Sequence, residues 1–435
     1  MRIYPAKSVL GKVELPGDKS ISHRAAILSA MATGETRITN FATSADCAST
    51  LECLGKLGVR IRRENFSVVV NGVGTSGFQK PDEHLDCGNS GTTMRLLAGV
   101  LAGHPFESIL IGDESLQTRP MKRVIEPLRL MNAEIEAVEN HAPLAIKGKY
   151  PLRAIDFELL VASAQIKSCI LLAGLNADGE TSVLEQTPTR DHTERMLRWF
   201  GVAVSEDEAA GGKKITVSGD ARLTANDLNV PADISSAAFF LVAAACLEGS
   251  EIELTNVGLN GSRTAVIDVL KNYGADIEIS GQRIVCNEPV GNLTVRGSQK
   301  LTSRSDTNVV SGKIIANLID EIPILAVFGT QLENGLEIRD AGELRVKESD
   351  RIAAAVENLR RMNADVEEFP DGFRVEKSSL KGAAVDSFGD HRIAMAFAIA
   401  GLFAKGETEI AGADCVAVSF PGFFDTLSRV TKGDR

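Results

Sequence analysis

A weak internal repeat of roughly seventy residues, seen about six times along the 435-residue chain, restricts the fold more than any other feature of the sequence. One half of the repeat is a glycine-led phrase that runs into a strand: Gly34-Glu35-Thr36-Arg37-Ile38, Gly179-Glu180-Thr181-Ser182-Val183, Gly249-Ser250-Glu251-Ile252, Gly335-Leu336-Glu337-Ile338 and Gly406-Glu407-Thr408-Glu409-Ile410, with a poorer copy from Gly103. The other half is a helix that ends at Gly or Asn and continues as an alternating strand, as in Leu54-Gly55-Lys56-Leu57-Gly58-Val59-Arg60-Ile61 and Leu128-Arg129-Leu130-Met131-Asn132-Ala133-Glu134-Ile135. Gly or Asn suits the left-handed position that closes a helix, and period-two alternation marks a half-buried strand. Helix and strand signals alternating in this way predict an α/β protein.

Ahead of the glycine phrases lie helices that are apolar nearly all round, such as Ala25–Ala32, Met94–Ala102, Ala237–Leu247 and Ile393–Ala404. A helix without a polar face belongs in a core. Their first residues, in contrast, are polar: Ser20-Ile21-Ser22-His23-Arg24, Ser90-Gly91-Thr92-Thr93, Ser163-Ala164-Gln165-Ile166-Lys167, Ser235-Ser236, Asp320-Glu321 and Asp390-His391-Arg392. Ser and Asp are ordinary N-caps, and capping alone accounts for any one of these starts. It does not account for the Lys, Arg and Gln that accompany them. Helix starts carry free N–H groups and partial positive charge, so this pattern predicts a site for anions.

Composition narrows the partners. A net charge of −11 and 5% aromatic residues, with one Trp and three Tyr, argue against nucleic acid. Cys47, Cys53, Cys87, Cys169, Cys246, Cys286 and Cys415 contain no CxxC pair and read as reduced thiols. The longest apolar run, Ala237–Leu247, is too short to span a bilayer, and the first residues carry no signal-peptide pattern. A soluble, cytoplasmic protein with no membrane partner is expected.

Local phrases carry the chemistry. In Gly17-Asp18-Lys19-Ser20-Ile21-Ser22-His23-Arg24, Lys19 and Arg24 flank a helix start, either as a solvated basic end or as an anion clamp. Gly88-Asn89-Ser90-Gly91-Thr92-Thr93-Met94-Arg95 is a glycine-rich loop entering a helix, where backbone approaches a phosphate or carboxylate closely. In Leu344-Arg345-Val346-Lys347-Glu348-Ser349-Asp350-Arg351, helical spacing would put Lys347 and Arg351 on one face beside Glu348, either as surface ion pairs or as a site. Asp320, opening an apolar helix, is either an N-cap or a general base.

These phrases, with Gln117-Thr118-Arg119-Pro120 and Asp390-His391-Arg392, occur in one order from about residue 5 to about 425. Together they resemble the 5-enolpyruvylshikimate-3-phosphate synthases, and Ser163-Ala164-Gln165-Ile166-Lys167 is similar to the form seen in the second class of that family. The resemblance implies a two-lobed, inside-out α/β barrel of six βαβαββ repeats. One lobe would span residues 17–230 and bind shikimate 3-phosphate. The other, residues 1–16 plus 231–435, would carry the acid and base groups, with hinges near 16–17 and 230–231.

The resemblance also implies the reaction: a carboxyvinyl group passes from phosphoenolpyruvate to the 5-hydroxyl of shikimate 3-phosphate by addition and elimination. By similarity Lys19, Ser20, Arg24, Ser163, Gln165, Arg190, Asp320 and Lys347 would hold shikimate 3-phosphate. Lys19, Gly91, Arg119, Gln165, Arg351 and Arg392 would hold phosphoenolpyruvate, and Asp320, Glu348 and Lys19 would move protons and steady the leaving phosphate. No metal or organic cofactor is implied, a monomer is expected, and Gly91 is the position whose enlargement crowds the inhibitor glyphosate in that family. The chain departs from the family pattern at Glu343, often Asn, and before Phe420-Pro421, where a Lys is often found.

Two rival readings remain at this stage. The sister transferase acting on UDP-N-acetylglucosamine usually bears a reactive Cys in the stretch occupied here by Arg119-Pro120-Met121, and no Cys lies between Cys87 and Cys169. A non-catalytic anion-binding homologue is the other. The polar stretch 298–313 fits none of the motifs.

Overall fold

The computed structural model describes residues 1–209, 211–298, 301–302 and 308–432, so the stretch 298–313 lies partly outside the described residues. The chain divides into two compact units. The first comprises Gly17–Val230 with Ile284–Glu288; the second comprises Met1–Pro16, Pro231–Arg283 and Pro289–Arg435.

In the first unit the longer helices are α1 (Lys19–Met31), α2 (Ala45–Lys56), α3 (Gly91–Ala102), α4 (Lys122–Leu130), α5 (Ala164–Gly174) and α6 (His192–Trp199). Its three four-stranded sheets share one order. Leu228–Asn229 pairs parallel with Thr33–Thr39, which pairs antiparallel with Ser67–Val73 and then Arg60–Glu64. The series Leu85–Asp86, Glu107–Ile111, His141–Lys147, Glu134–Val138 and the series Asp156–Glu158, Glu180–Glu185, Gly212–Ser218, Ser205–Ala209 repeat that pattern.

The second unit contains α7 (Ile234–Cys246), α8 (Ala265–Asn272), α9 (Ile322–Gly329), α10 (Arg351–Arg361), α11 (His391–Phe403) and α12 (Phe423–Val430). One of its sheets keeps the same order, Val309–Val310, Leu336–Ile338, Gly372–Val375, Val366–Phe369. The others are a five-stranded sheet that recruits Ser8–Val13 from the amino terminus and a three-stranded sheet that recruits Arg2–Ile3. The glycine phrases thus enter the central strands, and the second helices close on left-handed residues: Gly58, Gly201 and Gly274 at φ 89°, 85° and 91°, Asn132 and Asn363 at 78° and 64°.

Each unit is built round its all-apolar helices. From Ile234 to Ala245 every residue of α7 is buried, and α1, α3, α5, α9 and α11 are nearly as enclosed. Full burial of each large apolar side chain contributes about 1.5–3 kcal/mol, so these helices hold the cores together. Small residues let them approach: a Cβ at Gly99 of α3 would stand 2.2 Å from the Cys169 carbonyl oxygen of α5, a contact only glycine permits. Among the described residues, no helix is long and apolar enough to cross a membrane.

Candidate functional site

In the first unit, candidate groups gather at the starts of α1, α3 and α5. Asp18 caps α1 by accepting from the Ile21 N–H at 2.8 Å, which leaves Lys19 as the first helical residue. The Lys19 ammonium donates to Asp46 Oδ2 of α2 at 2.9 Å. Ser20 is half-buried, and its carbonyl accepts from Arg24 Nη1 at 3.0 Å. Arg24 is only 3% exposed, and it also donates to two hydroxyls: Nε to Thr193 and Nη2 to Ser168, both 2.8 Å.

Gly91 is the first residue of α3, which Ser90 caps by accepting from the Thr93 N–H at 3.1 Å. Arg119 is buried beside that loop and donates through Nη2 to Asn89 Oδ1 at 2.6 Å and Ser115 Oγ at 3.1 Å. Ser163 caps α5, and Gln165 in its first turn bridges to α3, donating to Thr92 Oγ1 at 2.9 Å and accepting from Arg95 Nη1 at 2.7 Å. Arg190 is half-buried two residues ahead of α6.

A chain of hydroxyls links these starts. His23 Nδ1 lies 2.6 Å from Thr50 Oγ1, Thr50 lies 2.7 Å from Thr93, and Thr93 Oγ1 donates to Ser90 Oγ at 2.8 Å. Burial holds the His23 imidazole well below its usual pKa, with Lys19 and Arg24 adding to the effect and Asp18 opposing it. His23 is therefore a neutral strut.

In the second unit the candidate groups converge on one buried cation. Arg351 opens α10 with no side-chain exposure and contacts three carboxylates: Nε to Asp390 Oδ2 at 2.7 Å, Nη2 to Glu348 Oε2 at 2.6 Å, Nη1 to Asp320 Oδ1 at 3.4 Å. Burial opposes its charge, but Asp390, Glu348 and Asp320 more than reverse that, so Arg351 stays protonated. Arg392 donates to the Asp320 carbonyl at 3.1 Å, and its Nε lies 3.5 Å from Asp320 Oδ1. Desolvation lowers the Lys347 pKa, Asp320 and Glu348 raise it, and Arg351 lowers it further; the net shift is downward.

Two local expectations need correction. The stretch from Leu344 to Arg351 is not one helix: a 3-10 turn ends at Val346, Lys347 is extended, and Asp350 starts α10 by accepting from the Ala353 N–H at 3.0 Å. Lys347 and Arg351 consequently share no helical face; a capping Asp at the seventh residue of the phrase outweighs its charge periodicity. Asp320 is also not the cap of α9, since Glu321 occupies that position. The carboxylate of Asp320 is directed to the two arginines instead.

Reading the sequence overlooked Asp46, Ser168, Thr193, Asn89 and Ser115, the partners that orient Lys19, Arg24 and Arg119. Asn89 stood inside a quoted motif; the others carry no local signal.

In each unit charged and polar candidate groups thus gather at or just ahead of helix starts, an arrangement that defines an α/β enzyme of small anionic substrates. The EPSP synthase model, described as EPSP synthase (3-phosphoshikimate 1-carboxyvinyltransferase), matches residues 3–427. Relatives named 3-phosphoshikimate 1-carboxyvinyltransferase from Salinibacter ruber and Pelotomaculum thermopropionicum are each 51% identical over 434 residues, covering 99% of this chain and 99% and 98% of theirs. A solved EPSP synthase from Acinetobacter baumannii superposes with a TM-score of 0.86 at 42% identity, covering 99% of this chain and 98% of that one. The chain belongs to the EPSP synthase family and is a transferase.

Proposed function

We propose that the protein transfers the carboxyvinyl group of phosphoenolpyruvate to the 5-hydroxyl of shikimate 3-phosphate, releasing phosphate, a reading supported by its relatives' name, 3-phosphoshikimate 1-carboxyvinyltransferase. The observation that carries this reading is the cluster of Asp320 and Glu348 on the buried Arg351 guanidinium. It holds two carboxylates on one buried cation, where they could serve as proton acceptor and donor.

In the addition step the 5-hydroxyl oxygen bonds to C2 of phosphoenolpyruvate and gives up its proton to a carboxylate, for which Asp320 is the candidate. The methylene carbon takes a proton, for which Glu348 is the candidate donor. In the elimination step the bond from C2 to the phosphate oxygen breaks, phosphate leaves, and the methyl carbon returns one proton to Glu348. Lys19 would neutralise charge on the departing phosphate. Ser20, Arg24, Ser163, Gln165, Arg190 and Lys347 would hold shikimate 3-phosphate; Gly91, Arg119, Gln165, Arg351 and Arg392 would hold phosphoenolpyruvate. Arginine suits both anions because its planar fork meets two oxygens at once.

The finer architecture belongs to the same proposal: an inside-out barrel of six βαβαββ repeats, residues 17–230 forming the shikimate 3-phosphate lobe and residues 1–16 with 231–435 the acid–base lobe. A cytoplasmic monomer completes it. The test is phosphate release from phosphoenolpyruvate, with and without shikimate 3-phosphate. Release that requires shikimate 3-phosphate, with a carboxyvinyl ether product by mass, is expected. Release with UDP-N-acetylglucosamine instead would overturn the acceptor assignment.

A further inference from the structure

The first unit buries a charged triad that the proposed reaction does not use. Lys167 of α5 has a side chain only 1% exposed; its Nζ lies 2.9 Å from Glu185 Oε2 and 2.6 Å from Glu194 Oε1. Glu185 ends the strand Glu180–Glu185, Glu194 lies on α6, and both side chains are as enclosed as the lysine. Thr189 donates to the second oxygen of Glu185, and burial notwithstanding, Glu194 and Glu185 raise the Lys167 pKa, so the ammonium stays charged.

Buried ions are a poor source of stability, because desolvation offsets their attraction and well-packed apolar residues often do as well. What such a triad supplies is direction. The 2.6 Å bond to Glu194 ties α5 to α6, and the 2.9 Å bond to Glu185 ties α5 to the end of the strand Glu180–Glu185.

The residues beside the triad show what those ties set. Ser168 follows Lys167, Thr193 precedes Glu194, and their hydroxyl oxygens are 2.7 Å apart. The Ser168 hydroxyl donates to the Ala164 carbonyl at 2.6 Å, so its oxygen must accept from Thr193 and from Arg24 Nη2. Thr193, having donated to Ser168, accepts from Arg24 Nε. Each hydroxyl proton is thereby assigned, and two neutral oxygens orient the Arg24 guanidinium.

We propose that Lys167, together with Glu185 and Glu194, is a positioning residue: the triad ties α5 to α6, and the tie sets the Ser168–Thr193 pair that aims Arg24. This rests on the reading of Arg24 as a ligand of shikimate 3-phosphate. Lys167→Met would leave two buried carboxylates unpaired, so milder variants carry the test.

The kinetic constants for both substrates are measured by phosphate release in Glu194→Gln, Glu185→Gln and Thr193→Val. The KM for shikimate 3-phosphate is expected to rise about tenfold, the equivalent of one hydrogen bond to a charged group. The KM for phosphoenolpyruvate and kcat should stay within about twofold, and Thr193→Ser, which keeps the hydroxyl, should restore the wild-type value. An unchanged KM for shikimate 3-phosphate, a parallel rise in both KM values, or a loss in kcat alone would overturn the proposal. So would unfolding of both carboxamide variants, which would make the triad a folding element. Absence of shikimate 3-phosphate-dependent release from the unaltered chain would instead overturn the functional reading beneath it.

Discussion

Arg24 and Arg119 of the first unit and Arg351 and Arg392 of the second meet different partners, although the first unit also holds Lys167 between two carboxylates. In the first, Arg24 and Arg119 are oriented by the neutral oxygens of Thr193, Ser168, Asn89 and Ser115, and Arg95 by Gln165. In the second, Arg351 is surrounded by Asp390, Glu348 and Asp320, and Arg392 also lies against Asp320. Neutral acceptors orient a guanidinium through its hydrogen bonds. Carboxylates pair with the guanidinium by charge as well, and are themselves held in order by it. The first arrangement suits binding and the second suits chemistry. Lys19 forms an ion pair within the first unit, with Asp46.

The comparison is open to attack at several points. The largest effect is expected where carboxylates do the chemistry: Asp320→Asn and Glu348→Gln should each lower kcat by about 10²–10⁴-fold while shikimate 3-phosphate still binds. Steady-state phosphate release together with a binding titration checks this; weakened binding with kcat intact would remove the distinction between the units.

Arg351→Met tests the same cluster through stability. Stranding three carboxylates round an apolar side chain should cost about 3–5 kcal/mol, read from urea unfolding. On the neutral side, Arg24→Lys keeps the charge but loses the fork to Ser168 and Thr193. Its KM for shikimate 3-phosphate should rise about 10–100-fold with stability nearly unchanged.

Acid should act on the first unit through His23. The folded protein holds this ring neutral, while the unfolded chain protonates it below a pH of about 6.5. The unfolded state then binds the extra proton, so this contribution to stability falls as pH drops below that value, by up to about 1.4 kcal/mol per pH unit, until the folded ring itself protonates. Comparing urea midpoints of wild type and His23→Asn between pH 7.5 and 5.5 isolates the effect (the two curves should converge toward the acid end).

The smallest change is expected for Gly91→Ala. Its Cβ would stand 2.8 Å from Arg95 Nη1 and 3.5 Å from Arg119 Nη1, the ends of side chains that can shift. A rise of about fivefold in the KM for phosphoenolpyruvate is expected, with the KM for shikimate 3-phosphate unchanged. Glyphosate inhibition of the wild type and its weakening in the variant provide a second reading of the same position.

The sequence alone determined the α/β class and the family. Apolar helices alternating with glycine-led strands can only be cores, and an ordered series of motifs spread over most of the chain is specific even though each motif is weak. It also determined where helices end, because Asn132, Gly58 and Gly274 occupy conformations that few other residues tolerate.

Tertiary structure alone decided which groups meet. Arg24 touches residues 144 and 169 positions away, and Arg351 meets Asp390 across 39. No local pattern encodes such pairs, because they depend on how whole helices pack. Tertiary structure also broke the Lys347–Arg351 phrase at a capping aspartate and turned Asp320 from a cap into a partner of two arginines. Periodicity and propensity act over a few residues, whereas charge and hydrogen bonding act on whatever the fold brings within about 3 Å.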